Sequence, residues 1–454
     1  MMRKIVLAIG LFAFLANGMQ AEDHVMAATK KAEVHEVPAT LNLSLTEAQD
    51  YAVETNRSLK NASLAVQKAY AQRWQTIASM LPQVDMSWSF QSMMGYEMEM
   101  RSGKHPITGE DIVTKIPMPD NGTLGVTAAV GINGQAIVGA LLNNIAIDMQ
   151  KLSLEISEDN LRANVKSSYA SVLVLEDVVR LLDVSLKNIE ELAAMTQRSV
   201  EVGAAEQTTA DQIKVRVNTL KNNINANKRS TQLAINALKV LLNVPVETEL
   251  VLTSQLQDML SAEAILRLLG QDFVLENNLS YQTLAKNVEL AKTNVHMAGW
   301  AYGPTLAVGY QYSEKSYFGE KAGFNMTPPN ALSVSVSMPL WSSGKRAAGV
   351  VEKKIALEEA RNTFAETTDN LGIQNEQLRY NLQNAYETYT NEQENMSVTQ
   401  RVFDNTSLKF QQGVASNLDL VNASNDLITA QSSYVQAVLT LVNAQVELEK
   451  FLNL

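Results

Sequence analysis

Through the middle of the chain, apolar side chains recur at alternating steps of three and four residues: Val165, Tyr169, Val172, Val179, Leu182, Leu186, Ile189, Ala193, Thr196 and Val200. Such a stripe is the seam of a helix packed in a coiled coil. Later, Leu382, Tyr389, Met396, Phe403 and Phe410 recur every seventh residue. Ala140 to Val202 contains neither glycine nor proline, and Val350 to Gln412 contains only Gly372. Each stretch therefore predicts a helix of roughly 95 Å if continuous.

Ahead of Gly139 and Gly349 the period changes to two. Val84, Met86, Trp88 and Phe90 alternate with Asp85, Ser87 and Ser89, while Leu332, Val334, Val336 and Met338 alternate with serines. This is the pattern of strands with one apolar face. With the runs Thr123 to Ile132 and Thr305 to Tyr312 it predicts two hairpins, hence four strands per chain. A closed barrel needs about eight strands, so strands entering lipid would have to be shared among several chains.

The same unit is written twice. Glu54, Asn56, Ser58 and Pro82 align without a gap on Glu276, Asn278, Ser280 and Pro304, in segments that each pass from helical spacing into alternation. At a shorter offset Gly139 pairs with Gly349, Gly203 with Gly413, and Leu242-Asn243-Val244 with Leu452-Asn453-Leu454. The difference predicts a loop ~12 residues longer in the first copy, placed at Arg101 to Asn121. Each half reads as inbound helix (about Thr46 to Leu81 in the first), β-hairpin, very long helix, glycine turn and returning helix (about Ala210 to Val244). The expected division is a signal peptide at 1–21, an N-terminal extension at 22–40, a first repeat at 41–244, a connector at 245–262 and a second repeat at 263–454.

The signal peptide rests on Arg3 and Lys4, the apolar run Ile5 to Leu15, and small residues at Ala16, Gly18 and Ala21 for cleavage near Gly18 or Ala21. The run is far short of the roughly 20 residues that span a bilayer. The chain of 454 residues has no cysteine, so packing or assembly must stabilise it and a lipidated cysteine is excluded. A formal charge of −11 without a basic stripe argues against nucleic acid.

Enzyme chemistry finds no foothold. His24, His35, His105 and His296 are scattered, no HExxH, GxSxG, P-loop or dinucleotide spacing occurs, and no cofactor is implied. The acidic pairs Glu190-Glu191 and Glu358-Glu359 fall on helix faces expected to be solvated.

The opening LSLTEAQDYAVETNRSL (Leu43 to Leu59), the junction Met80-Leu81-Pro82, VSMPLWSSGKRAAG (Val336 to Gly349) and the turn Lys409 to Gly413 followed by Asp419 together resemble the TolC-like outer-membrane efflux proteins. The likeness covers essentially the whole mature chain, although Trp341 stands where that family usually has Phe and Ser343 where it has a second glycine. It implies a mainly α fold with a small membrane β part: a homotrimer in which four strands per chain share a twelve-stranded outer-membrane barrel above a helical periplasmic tunnel. It also implies an exit duct for efflux or type I secretion that works with a periplasmic adaptor and an inner-membrane transporter of RND or ABC type. A soluble periplasmic coiled-coil adaptor or scaffold is the alternative.

In the family, acidic residues just beyond the second tip constrict the tunnel. Asp419 matches the first gate position and Asn422 occupies the second; Ser416 and Asp419 also have capping-box spacing. Val202, Gly203 and Ala204 at the first tip, and Gln412, Gly413 and Val414 at the second, are the expected adaptor-docking residues. Asp211 lies further from its glycine, so no gate role is carried to it. Trp88, Tyr96, Tyr310, Tyr312 and Trp341 lie in or beside the strands, where aromatic residues favour the membrane boundary.

Overall fold

The computed structural model describes residues 39–104, 107, 109, 111–203, 205–318 and 328–453. The signal segment, nearly all of the N-terminal extension and Ala204 lie outside them. In chain order the elements are β1 (Thr40–Leu43), α1 (Leu45–Thr55), α2 (Arg57–Ala78), β2 (Gln83–Gln91), β3 (Glu97–Lys104), β4 (Asp111–Pro117) and β5 (Asp120–Asn133). There follow α3 (Gly134–Glu201), α4 (Gln207–Leu242), β6 (Glu249–Leu252), α5 (Leu256–Met259), α6 (Ala262–Leu269) and α7 (Leu279–Gly299). The last are β7 (Thr305–Phe318), β8 (Asn330–Ser337), α8 (Lys345–Gln411) and α9 (Asn417–Leu452).

Three expectations need correction. The inbound helix is two helices, because Asn56 adopts an extended backbone and starts α2 afresh. The long helices begin before Gly139 and Gly349, not after them: strand alternation stops at Asn133, whose Oδ1 accepts the Ala136 N–H at 2.7 Å and starts α3. Gly139 and Gly349 fall in the second turns of α3 and α8, where glycine costs about 1 kcal/mol, comparable with what a cap such as Asn133 contributes. The insertion around Arg101 to Asn121 is not a plain loop, since β3 and β4 pair antiparallel from Glu97↔Pro117 to Lys104↔Asp111. The helix α8, in contrast, passes through Gly372 unbroken for 67 residues.

The chain forms two compact units, each drawing on both sequence repeats. One comprises residues up to Gln67, Met149–Ala285 and Asn362–Leu454. Its core runs through α1, α3, α4, α8 and α9, with Val165, Tyr169, Leu238, Leu382 and Leu441 buried. Tyr169 also ties in the connector: its hydroxyl donates to the Leu43 carbonyl at 2.9 Å and accepts the Ser254 N–H at 3.0 Å, beside the parallel pairing of β1 with β6. Lys166 and Glu449 join α3 to α9 at 2.6 Å, mostly out of water.

Matched asparagines make matched bonds in the two repeats. Asn56 Oδ1 accepts the Ser58 and Leu59 N–H groups while its Nδ2 donates to the Leu241 carbonyl at 2.9 Å. Asn278 Oδ1 accepts from Ser280 and Tyr281 while its Nδ2 donates to the Phe451 carbonyl at 3.0 Å. One amide therefore caps the start of an inbound helix and holds the end of a returning one, satisfying groups that helix termini leave open. Asn243 and Asn453 end the returning helices in the left-handed conformation.

The second unit comprises Lys68–Asp148 and Lys286–Arg361 and contains an antiparallel sheet in the order β2-β5-β7-β8. Asn143 Nδ2 donates to Thr76 Oγ1 at 2.8 Å, fixing α3 to α2, and Lys286 bridges α7 to Asp148 of α3 at 3.2 Å.

Candidate functional site

The register makes the sheet two-faced. Trp88, Leu124 and Glu314 stand in one row, Met86, Val126 and Tyr312 in the next, then Val84, Ala128, Tyr310 and Leu332. Successive strand residues alternate faces, so nearly everything on this face is apolar from Ile132, Leu306 and Val336 up to Trp88. The opposite face carries Ser87, Thr127, Gln311, Ser333, Ser335 and small residues such as Gly125 and Gly309. A Cβ at Gly309 would come within 3.1 Å of the Ser333 hydroxyl, so the polar face also packs closely.

On the apolar face Met86 is 76% and Leu332 73% accessible, while Leu124, Val126 and Val308 of the inner strands are half-buried. Burying such a surface in water would need a partner layer, whereas hydrocarbon covers it directly. Among the described residues the edge strands β2 and β8 each pair on one side only. No described helix is long and apolar enough to cross a membrane.

Trp88, Tyr310 and Tyr312 lie on the apolar face, with the Tyr310 hydroxyl donating to Asn330 Oδ1 at 2.7 Å and that of Tyr312 to Glu314 at 3.0 Å. Trp341 follows β8 and is 85% accessible. Tyr96 stands apart from the sheet, in the turn that enters β3. Sequence reasoning missed Trp300 and Tyr302, which end α7 near the same border of the sheet as Trp341; Arg346 lies 4.9 Å over the Tyr302 ring. Their signal was position, immediately before the strand that begins at Thr305.

The tips sit in the other unit. Gly203 and Gly413 have φ of 75° and 72°, the left-handed backbone that ends a helix at low cost. The Val414 N–H returns to the Lys409 carbonyl at 2.9 Å, and the Ala205 N–H to that of Ser199 at 3.2 Å. Val202 and Val414 point into solvent, and Gln412 is exposed beside them.

The two restarts differ. At α9, Ser416 Oγ accepts the Asp419 N–H at 3.1 Å while Asp419 Oδ2 accepts the Ser416 N–H at 2.9 Å, a complete capping box. Hydrogen bonds from the Ser416 hydroxyl and N–H hold the Asp419 carboxyl below the usual carboxylate range. At α4 the cap position is Glu206, without a side-chain cap bond, and Asp211 accepts from Gln207 at 2.9 Å. Asp419 and Asn422 are one turn apart on an exposed face, opposite buried Leu420, Ala423 and Leu427. Those three pack with Ile189, Ile213 and Phe403, joining the two hairpins.

Arg216, which the sequence reading passed over, reaches from α4 to the Val421 carbonyl at 3.4 Å. Its Nε is buried without a partner, and burial lowers its pKa. A lone arginine among Ile213, Val217 and Leu220 was the available clue.

The fold is that of the TolC-like outer-membrane channels. VceC, an outer membrane protein of Vibrio cholerae, superposes with a TM-score of 0.69 over 90% of this chain and 95% of that one at 15% identity. The open state of the MtrE outer membrane channel of Neisseria gonorrhoeae gives 0.66 over 90% and 88% at 17% identity. Residues 272–454 match the family model described as outer membrane efflux protein. In sequence the chain is 23% identical over 338 residues to the outer membrane efflux protein BepC of Brucella suis biovar 1, spanning 71% of each chain. The resemblance read from the motifs, and the mainly α fold with a small β part, therefore hold.

Proposed function

We propose that the protein is the outer-membrane exit duct of a tripartite efflux or type I secretion system. It passively conducts small molecules or polypeptides delivered through a periplasmic adaptor from an inner-membrane RND or ABC transporter. The observation that carries this reading is the sheet with one apolar face, open at Met86, Trp88, Leu332, Val334 and Val336 along its outer strands, and two half-paired edges. Three copies joined edge to edge, β2 of one chain to β8 of the next, would satisfy every edge and give twelve strands with the apolar face toward outer-membrane lipid. Such a surface weighs against a soluble adaptor or scaffold.

Asp419 and Asn422 then line the inner mouth, where threefold symmetry gathers three carboxylates and favours cations. The tip residues Val202, Gly203, Ala204, Gln412, Gly413 and Val414 are the adaptor-docking positions, a reading that the exposed Val202 and Val414 side chains support. Trp88, Tyr310, Tyr312 and Trp341 border the lipid, while Tyr96 belongs to the projecting hairpin. Conductance in a planar bilayer tests the whole: detergent-purified protein inserts stably with a cation-favouring current, and Asp419→Ala weakens the selectivity. Unchanged selectivity would leave Asp419 a helix cap alone, and failure of a folded preparation to insert would refute the duct.

A further inference from the structure

One charged side chain is packed into the apolar junction between the two helical hairpins. Arg216 stands three residues after Ile213 and four before Leu220, a spacing that sets all three on one face of α4. Arg216 and Ile213 line a narrow cleft with Ile189 of α3, Phe403 of α8 and Leu420 of α9, all four of these apolar side chains being buried. There the guanidinium reaches the Val421 carbonyl at 3.4 Å, and its Nε is buried without a partner. Charge-assisted hydrogen bonds normally run about 2.7–2.9 Å, so that contact returns little of what burial removes. Among the described residues no carboxylate answers the charge: burial lowers the pKa of Arg216, and no acid raises it back.

We propose that Arg216 is a wedge: it keeps the two hairpins close to parting and so sets how readily the inner mouth opens. Arginine stays protonated at any physiological pH, so the cost of enclosing its charge is not relieved by losing a proton. It is relieved when the hairpins separate and water reaches the buried nitrogen. The packed arrangement bears that cost and the parted one does not, which moves the balance toward parting. The gate residues move with the junction, because Leu420 and Ala423 of α9 are buried in it while Asp419 and Asn422 stand on the exposed face of the same turns. A residue kept only as an anchor to Val421 would act with the opposite sign, tightening the junction that a wedge loosens.

The wedge rests on the junction alone; its effect on the mouth rests on the exit-duct reading. Methionine keeps a long flexible side chain without the charge, whereas lysine keeps the charge and gives up the planar fork that reaches Val421. Hydrogen exchange in peptides covering Leu182–Leu192 and Leu420–Leu427, whose sequences the variants leave intact, reads the junction in the full-length protein. Arg216→Met should slow exchange there about fivefold, the lower end of what replacing an enclosed charge by apolar groups yields, because the side chain as a whole is only half-buried. Arg216→Lys should exchange at least as fast as wild type. Planar-bilayer conductance should fall in Arg216→Met and be kept in Arg216→Lys. Unchanged or faster exchange in Arg216→Met would make the residue an anchor and overturn the wedge, as would equal slowing in both variants, which removes charge as the cause. Slower exchange with wild-type conductance would overturn the link to the mouth. A wild type that never conducts refutes the duct instead, and the exchange result then decides the wedge by itself.

Discussion

Asn278 does two jobs with one amide, and replacing it with alanine removes both. Its Oδ1 caps α7 by accepting the Ser280 N–H at 3.0 Å and the Tyr281 N–H at 3.3 Å, and its Nδ2 holds the Phe451 carbonyl at 3.0 Å in a residue only 7% exposed. Loss of an asparagine cap costs about 1 kcal/mol, and stranding a buried carbonyl adds about 1–3 kcal/mol. The total is about 2–4 kcal/mol, which at the lower end makes local opening about thirtyfold more frequent. Hydrogen exchange read by mass spectrometry reports this directly in peptides covering Leu279–Thr283 and Glu449–Asn453, whether or not global unfolding is reversible. Asn278→Ser retains a capping oxygen and loses only the donor to Phe451, so its exchange should fall between wild type and alanine. Unchanged exchange in both peptides of Asn278→Ala would refute the reasoning, because a buried clamp cannot be removed without local consequence.

Leu332→Lys places a charge near the middle of the apolar face, costing about 2–4 kcal/mol in lipid; it should deplete heat-sensitive trimers from outer-membrane fractions, while Ser335→Lys on the opposite face leaves them intact. Burial pushes the Tyr434 phenol up to about 12; because the neutral form is favoured in the fold, its contribution is complete below the ordinary tyrosine range and fades as pH climbs through 12. An ultraviolet titration should therefore lose its most alkaline phenolate step in Tyr434→Phe. The Asp419 carboxyl has a lowered native pKa, so its cap is present above the usual carboxylate range and fails only as pH falls through the lowered value; exchange in the first turn of α9 should accelerate there, and Asp419→Ala should show that fast exchange at every pH. A Cβ on Gly134 would lie 2.1 Å from the Trp300 ring, so Gly134→Ala should displace the indole and change tryptophan emission.

Much of the architecture was legible because its signals are local. The capping box at Ser416 and Asp419 spans four residues, and the αL glycines at 203 and 413 interrupt otherwise unbroken stripes. The break at Asn56 was harder to read, since one asparagine both ends α1 and caps α2 through Ser58 and Leu59, and its bond to the distant Leu241 carbonyl leaves no local mark. The hairpin β3–β4 was obscured by Gly103 and Gly109, both at positive φ, although Met98 and Met100 alternating with Glu97 and Glu99 already carried a strand period. The cross-strand rows of the two-faced sheet could not be read at all from one strand at a time, because register belongs to pairs. Arg216 was invisible for the same reason: its partner, the Val421 carbonyl, is distant in sequence.

Duplication within the chain also sets the symmetry available to an assembly. Three copies of a twofold-repeated protein come close to sixfold, with six similar helical hairpins marked by Asn56 and Asn278. Among the described residues two features break that pseudo-symmetry: the β3–β4 hairpin, seen in the first repeat alone, and the Ser416–Asp419 box, seen at the second tip alone. A sixfold ring offers any approaching molecule two equivalent settings, rotated by a sixth of a turn. In the proposed trimer, three acidic tips at one set of turns and three β3–β4 hairpins would make those settings inequivalent, and a threefold partner would have one phase in which to seat.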